Sequence, residues 1–201
     1  MTNIASVTLD ADDTAAAATF YKAAFGLDSQ VRVQAATAPS TGFRAFTLSL
    51  TVAQPATVKS LFQSAVDAGA TVLKPVTKSL WGYGGVVQAP DGSIWKVATS
   101  AKKDTGPDTG EIDKLVLLLG CADVSASKKF YVGHGLKVGK SFGKYVEFAM
   151  PDSPVMLGLY GHKALAKDAG VPPEGSGSHR LTINGDTGPF TDPDAFAWQL
   201  V

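Results

Sequence analysis

The chain has 201 residues, 45% of them hydrophobic and 18% charged, with 18 basic and 18 acidic side chains that balance at neutral pH. This length allows one large domain or two small ones, and the balanced charge gives no support for a nucleic-acid-binding or membrane-surface protein. The single cysteine, Cys121, excludes an internal disulfide and a cysteine cluster for zinc.

Residues 1–100 alternate predicted strands with two predicted helices. The first strand covers residues 4–9, and an alanine-rich helix follows, with Asp13 as its N-terminal cap and Gly26 as its left-handed stop. A second helix begins at Pro55, where the missing N–H costs nothing, and ends at Gly69. Alternation and turn residues predict the strands around these helices, at residues 30–35, 43–52, 71–74 and 94–99.

A polar segment with glycine and proline, residues 101–111, predicts a linker, after which the same order of elements begins again. A strand at residues 115–119 precedes a helix that Asp123 caps. The later predictions are strands at residues 144–150, 155–160 and 179–183 and a short helix at 164–170. We therefore predict one domain over residues 1–100 and a second over residues 112–201.

An internal repeat connects the two halves. Residues 13–21 recur as residues 123–131, and both segments begin with Asp and end in Phe-Tyr. Residues 90–96 recur as residues 193–199, and both segments begin with Pro-Asp and carry Trp before their last residue. Because both matches occur in the same order, we infer that the two halves share one architecture.

These segments resemble the vicinal-oxygen-chelate superfamily, which contains glyoxalase I, extradiol dioxygenases and bleomycin-resistance proteins. The resemblance rests on Ser-Val-Thr-Leu at residues 6–9 with the helix after it, on residues 65–72, and on residues 81–95. It implies an α+β fold of repeated βαβββ modules that form open mixed-sheet barrels around a cavity. The second half has no room for one helix and two strands of its last module, so we expect a truncated barrel whose open edge is covered by the first domain or by a second copy of the chain.

The resemblance also places the metal ligands of the superfamily on six positions of this sequence. These positions are Ser6, Arg44 and Lys96 in the first half and Val116, His179 and Gln199 in the second. None of them is a carboxylate, two are cations, and only His179 is a usual metal ligand. We therefore expect no metal and no other cofactor.

The same positions and the aromatic residues near them supply a candidate ligand-binding set. If Arg44 and Lys96 both point inward they form an anion site, with aromatic rings nearby for a planar ligand. The full set is Ser6, Arg44, Trp81, Tyr83, Lys96, His179 and Gln199. The alternative roles are structural: Lys96 reaches solvent, His179 makes a simple hydrogen bond, and Trp95 and Trp198 anchor the core. We assign no catalytic residue.

Three functions remain open for a chain of this kind. The one we favour is metal-independent binding of a small aromatic or anionic molecule, as in the drug-binding members of the superfamily. The second is an enzyme of the lyase or dioxygenase type, and the substituted ligand positions leave open whether the chain is an enzyme at all. The third is a degenerate fold that serves as an interaction module.

The sequence also gives expectations for location and partners. The longest aliphatic run, residues 115–119, is far shorter than the roughly 20 residues of a membrane helix, and the N-terminus has no signal-peptide pattern. With a lone cysteine, these features favour a cytoplasmic, bacterial-type protein. We expect a small-molecule ligand and neither nucleic acid nor a membrane as partner, and a homodimer fits the truncated barrel.

Overall fold

The computed structural model describes residues 2–80 and 82–201, which form four helices and fifteen strands in sheets of eight, five and two strands. The helices are α1 (Thr14–Phe25), α2 (Pro55–Asp67), α3 (Val124–Gly133) and α4 (His162–Ala169). The strands are β1 (Ile4–Ala11), β2 (Val31–Ala35), β3 (Ser40–Gly42), β4 (Phe46–Thr51), β5 (Thr71–Ser79), β6 (Gly82–Gln88), β7 (Ile94–Thr99), β8 (Lys114–Cys121), β9 (Val138–Phe142), β10 (Tyr145–Phe148), β11 (Val155–Gly161), β12 (Gly175–Gly177), β13 (Leu181–Gly185), β14 (Phe190–Thr191) and β15 (Ala197–Leu200). None of the helices in these residues is long and apolar enough to span a membrane.

The helix ends follow the signals in the sequence. At the start of α1, the Asp13 carboxylate accepts a hydrogen bond from the N–H of Ala16 at 2.9 Å, and Gly26 ends the helix in the left-handed conformation with φ 67°. At the start of α3, Asp123 accepts from the N–H groups of Ser125 and Ala126. Both predicted caps are therefore confirmed, and the repeat extends to the capping of its helices.

The eight-stranded sheet is built from two consecutive βαβββ units in the middle of the chain. Its order is β5-β6-β7-β4-β8-β11-β10-β9, so each unit supplies one half of the sheet. The first strands of the two units, β4 and β8, are antiparallel neighbours at the centre, and the parallel pairs β4–β7 and β8–β11 flank them. The α+β fold with repeated modules is thus the observed architecture.

The five-stranded sheet is built from the two ends of the chain. Its order is β14-β15-β13-β1-β2, with β1 and β13 as antiparallel neighbours. The last unit supplies three short strands and no helix, which confirms that the second half is truncated. Because both large sheets combine strands from both halves, the division into residues 1–100 and 112–201 stays a prediction.

The two faces of the eight-stranded sheet carry different helices. Leu48, Trp95 and Leu117 belong to one large buried cluster that includes residues of α1, α2 and α3. Successive strand residues point to opposite faces, and the neighbours Ile94 and Leu118 belong to a second cluster with α4. We call the side that α4 covers the α4 face.

Several strands have limits that the sequence did not indicate. The strand predicted over residues 179–183 begins at Leu181, because Arg180 has a φ of 53°, outside the extended region. The strand predicted from residue 43 begins at Phe46, because Ala45 has a φ of 62°. The strands β3, β12 and β14 were not predicted because two or three residues are too few for alternation to be recognised, and β9 was not predicted because all five of its residues are exposed and do not alternate.

The segment between β7 and β8 has no regular structure, and one buried side chain fastens it. Gln54, only 4% exposed, accepts a hydrogen bond from the N–H of Thr105 at 2.8 Å and donates to the carbonyl of Pro107 at 2.7 Å. Asp104 in turn accepts from the N–H of Ala56 at 2.7 Å. The predicted linker is therefore attached to the start of α2.

Candidate functional site

A row of four side chains crosses the centre of the α4 face. The strand register places them side by side on β7, β4, β8 and β11, in the order Lys96, Ser49, Val116 and Met156. Lys96 and Val116, which the sequence assigned to separate halves, therefore lie in one sheet. Ser49 and Met156 were not among the candidates, because their strand partners are known only from the topology.

Helix α4 packs against the α4 face beside this row, with its residue Asp168 at Lys96. Leu165 and Ala166 are 0% exposed, and Ala169 is 3% exposed. They share a cluster with Ile94 and Leu118 of the sheet. The barrel cavity that the superfamily resemblance implies is occupied here by the chain's own helix.

Two lysines of the sheet bind the C-terminal end of α4. The ammonium group of Lys96 forms an ion pair with Asp168 at 2.8 Å. Lys74 donates to the backbone carbonyls of Lys167 and Asp168 at 2.8 and 2.6 Å. These cations complement the negative end of the helix dipole and the carbonyl groups that a helix leaves without partners at its end.

A second row crosses the five-stranded sheet. It contains Ser6 of β1, Asn184 of β13 and Gln199 of β15, in neighbouring register positions. The amide nitrogen of Asn184 donates to the hydroxyls of Ser6 at 3.1 Å and Thr8 at 2.9 Å. The structure thus brings Ser6 and Gln199 close to each other and separates Ser6 from Lys96, which lies in the other sheet.

The residues of the two rows do not fit a divalent metal ion. One row offers an ammonium group, a hydroxyl, an apolar side chain and a thioether, and the other offers a hydroxyl and two amides. Divalent ions in proteins are held mainly by imidazole, thiolate and carboxylate groups. Among residues 2–80 and 82–201, no three His, Cys, Asp or Glu side chains are grouped closely enough to hold a metal.

Arg44 lies before β4, away from Lys96. Its guanidinium donates to the backbone carbonyl of Asp91 in the turn between β6 and β7. Burial lowers the pKa of the Arg44 guanidinium, and the nearby charge of Arg180 lowers it further. Arg44 and Lys96 therefore bind separate protein groups and do not form the joint anion pocket that the sequence suggested.

His179 uses both of its ring nitrogens in contacts with the backbone. Nδ1 lies 2.9 Å from the carbonyl oxygen of Arg44, and Nε2 lies 3.0 Å from that of Asp194. The ring also stacks on Phe196 with 4.1 Å between the ring centres. Of the two roles considered for His179, these contacts favour the structural one.

The aromatic candidates lie outside the α4 face or outside the described residues. Trp81 falls outside the residues that the structure describes. The ring of Tyr83 is half-buried against the large core cluster, with the ammonium group of Lys59 on α2 at 5.8 Å. Trp95 and Trp198 are 0% and 2% exposed, which agrees with their role as core anchors. The ligand-binding role of Trp81 and Tyr83 stays a prediction.

A cavity opens at the carboxyl ends of β8 and β11. Its volume is about 980 Å³. The two strands are parallel neighbours that end side by side, with Cys121 opposite Gly161. Helix α3 follows β8 and packs against one face of the sheet, whereas α4 follows β11 and packs against the other. The two connections therefore diverge and leave a crevice between them, and we call it the β8–β11 crevice.

Three lysines line this crevice from three different elements. They are Lys128 on α3, Lys144 in the turn between β9 and β10, and Lys163 in the first turn of α4. The lining also contains one carboxylate, that of Asp123, which caps α3. The crevice therefore carries a surplus of positive charge, although the whole chain has a formal net charge of zero.

The one thiol in the crevice wall is not set up as a nucleophile. Cys121 is buried, and its Sγ lies 3.7 Å from the carbonyl oxygen of Leu119. Burial raises the pKa of the Cys121 thiol far above its usual range, so the thiolate is not formed near neutral pH. Cys121 is therefore a core thiol.

The crevice lysines were missed by the sequence analysis, since they belong to no motif and are widely separated in the chain. The available signal was topological: two strands of one βαβββ unit, each followed directly by a helix. Adjacent parallel strands whose connections leave in opposite directions form a crevice at their carboxyl ends. That signal needs the sheet order, which the sequence alone does not supply.

Comparison with known proteins identifies the fold. No protein-family model and no curated protein matches the chain. Glyoxalase I from Zea mays is similar over 100% of this chain and 92% of its own, with a TM-score of 0.66 and 16% identity. A proposed dioxygenase from Bacillus subtilis subsp. subtilis str. 168 is similar over 90% of this chain and 69% of its own, with a TM-score of 0.57 and 10% identity. The chain therefore has the glyoxalase-like fold of the vicinal-oxygen-chelate superfamily.

Proposed function

We propose that this protein binds a small molecule in the β8–β11 crevice through its own side chains, without a metal. The observation that carries the proposal is the position of the crevice, at the carboxyl ends of two parallel strands whose following helices diverge. Open sheets of this kind bind ligands at such switch points. The volume of about 980 Å³ accommodates a small organic molecule.

The arrangement of the α4 face supports the choice of the crevice over the barrel cavity. Leu165, Ala166 and Ala169 already fill that cavity, and Lys96 is paired with Asp168. A ligand in the barrel cavity has to displace these contacts, whereas a ligand in the crevice displaces only solvent. The crevice is therefore the place where binding costs the protein least.

The two other functions considered from the sequence receive less support. A metal-dependent lyase or dioxygenase reaction needs a ligand set that neither row of side chains supplies. An interaction module does not need a cavity, so this function does not account for the β8–β11 crevice. Cytoplasmic location and dimer formation stay predictions.

A ligand screen with a blocking variant tests the proposal. We expect small molecules that raise the melting temperature of the wild-type protein, because a ligand bound only to the folded state stabilises it by mass action. Ala164→Trp places an indole in the crevice wall and is expected to abolish these shifts. Ala15→Trp, on the exposed side of α1, is the control and is expected to keep them.

Three results contradict the proposal. The first is a screen in which no molecule stabilises the wild-type protein. The second is a set of ligands that bind Ala164→Trp as well as they bind Ala15→Trp. The third is a divalent metal found at one ion per chain in the purified protein by mass spectrometry, with ligand binding lost when a chelator removes it.

A further inference from the structure

We infer that the β8–β11 crevice recognises an oxyanion, a phosphate or a carboxylate, carried on a small apolar group. This inference rests on the proposed function and adds the chemical class of the ligand. Its basis is the charge, the free donors and the apolar wall of the crevice.

The three crevice lysines line one cavity and have no protein partners in the described part of the chain. Lys128 is half-buried, and Lys144 and Lys163 are exposed. Within the described part of the chain, their ammonium groups form no ion pair and no hydrogen bond, whereas Lys96 and Lys140 are paired with carboxylates. Like charges that face one cavity repel one another, and an anion between them removes that repulsion. The lysines therefore favour a negatively charged ligand.

The single carboxylate in the crevice does not neutralise them. The oxygen Oδ1 of Asp123 accepts from the N–H groups of Ser125 and Ala126 at 2.9 and 3.2 Å. Asp194 accepts from the N–H of Ala122 at 2.8 Å and from the hydroxyl of Ser127. The donors at the start of α3 thus already have acceptors within the protein.

The start of α4 is different, since no side chain caps it. Its first residues, His162, Lys163 and Ala164, line the crevice. The first N–H groups of a helix have no partner inside the helix and accept an anion well. Of the two helix starts at the crevice, α4 is therefore the one that offers backbone donors beside the lysines.

The rest of the wall is suited to an apolar group. Val124, Val146 and Ala164 contribute apolar side chains to the lining. The alkyl chain of Lys144 lies across Gly161, where an added Cβ comes within 3.2 Å of the Lys144 Cδ. A glycine at this position thus lets the lysine stem pack against the end of β11 and add apolar surface to the wall.

Three probes of similar shape separate charge from apolar contact. Phenyl phosphate, benzoate and benzamide share one ring and differ in charge, and each is titrated into the wild-type protein by calorimetry at constant ionic strength. We expect phenyl phosphate and benzoate to bind at least tenfold more tightly than the neutral benzamide. We also expect both anions to lose affinity as sodium chloride is raised, because salt screens exposed charges. The ratio between the two anions tells a phosphate site from a carboxylate site.

Removal of the lysine charges identifies the donors. The triple substitution Lys128→Gln, Lys144→Gln and Lys163→Gln is expected to weaken anion binding roughly threefold per lysine, about thirtyfold in total. The matched control is Lys102→Gln, Lys103→Gln and Lys129→Gln, which removes the same charge outside the crevice lining. We expect the control to change the affinity by less than about threefold, through the general field alone. Circular dichroism and the melting temperature of both triple variants verify that they fold.

The outcomes separate this inference from the proposed function. If benzamide binds as tightly as the two anions, the crevice is a ligand site and the inferred class is wrong. If the control triple variant loses as much affinity as the crevice triple variant, anion binding is a general charge effect and the inference also fails. If no probe and no molecule of the wider screen binds the wild-type protein, the proposed function fails as well.

Discussion

The inner faces of the two large sheets differ in the side chains they carry and in how those side chains are stabilised. The eight-stranded sheet carries Ile94 and Leu118 on its α4 face, and α4 packs against them. The last unit of the five-stranded sheet has no helix, and the row of this sheet carries Asn184 and Ser6, which are buried and bond to each other. Apolar side chains are stabilised by contact with a covering element, whereas buried amides and hydroxyls need hydrogen-bond partners.

The comparison extends to the outer strands of the five-stranded sheet. Its exposed residues Arg32, Gln34 and Gln199 are polar and tolerate water. The exposed outer positions on the face of this row are thus polar, unlike the apolar α4 face of the other sheet.

The replacement of a buried leucine on α4 is expected to have the largest effect on the free energy of unfolding. Leu165 is 0% exposed and lies between α4 and the sheet, so Leu165→Ala removes buried apolar surface and leaves a cavity. We expect the free energy of unfolding in urea to fall by about 3 kcal/mol. Lys167→Ala, at an exposed position on the same helix, is the control and is expected to change it by less than about 0.5 kcal/mol. Equal stability of Leu165→Ala and wild type means that α4 is not docked.

The aromatic network of the second repeat gives the next largest effect. The hydroxyl of Tyr131 donates to the buried carboxylate of Asp192 at 2.7 Å and accepts from the indole nitrogen of Trp198 at 3.2 Å. Burial raises the pKa of the Asp192 carboxyl, and the Tyr131 hydrogen bond opposes that rise. Tyr131→Phe leaves the carboxylate of Asp192 and the indole N–H of Trp198 with one partner fewer each. We therefore expect the free energy of unfolding in urea to fall by about 2 kcal/mol.

The first repeat supplies the matched control for this experiment. The hydroxyl of Tyr21 donates to Asp91 at 2.6 Å and lies 2.8 Å from the hydroxyl of Ser93, and the indole of Trp95 donates to that Ser93 hydroxyl at 2.9 Å instead of to the tyrosine. Tyr21→Phe therefore leaves the tryptophan bond intact, and we expect it to cost about 1 kcal/mol less than Tyr131→Phe. If the two variants lose the same stability, the repeats are energetically equivalent and the difference in bonding has no consequence.

Local signals in the sequence predicted the starts of two helices and the presence of repeated modules. Asp13 and Asp123 cap their helices, and the repeat of Asp with Phe-Tyr correctly indicated modules of one kind. These local signals did not indicate which modules combine to form one sheet. Lys96 and Ser6 were assigned to one ligand site of the first half, yet the first belongs to the sheet of the middle units and the second to the sheet of the chain ends.

The candidate site was harder to predict for the same reason. The role of Lys96 depends on Asp168, which no repeat or motif connects to it. The crevice depends on the adjacency of β8 and β11 and on the direction in which two helices leave them. Hydrophobic periodicity in a sequence indicates whether a segment is a helix or a strand. The ion pair and the crevice depend instead on which elements are neighbours in the fold.

The polar row of the five-stranded sheet gives a smaller effect. Asn184, 3% exposed, donates to the hydroxyls of Ser6 and Thr8, so Asn184→Ala removes two hydrogen bonds. Each hydroxyl loses one donor but keeps its own O–H to donate, so we expect the free energy of unfolding in urea to fall by only about 1 kcal/mol. The apolar triple variant with Ser6→Ala, Thr8→Val and Asn184→Leu is expected to recover part of that loss, because no polar group is then left unpaired. A triple variant less stable than Asn184→Ala contradicts this explanation.

The ion pair that holds α4 is expected to have the smallest effect. The side chains of Lys96 and Asp168 are 34% and 39% exposed, so water screens their attraction even at 2.8 Å. We expect Lys96→Gln to lower the free energy of unfolding by about 0.5 kcal/mol, and the effect to shrink further in 1 M sodium chloride. Asp168→Asn combined with Lys96→Gln is expected to cost no more than either single change, since each alone already breaks the pair. A loss as large as that of Leu165→Ala means instead that α4 is held by its charges, and the contrast between a sheet covered through apolar contact and a sheet satisfied through polar pairing no longer holds.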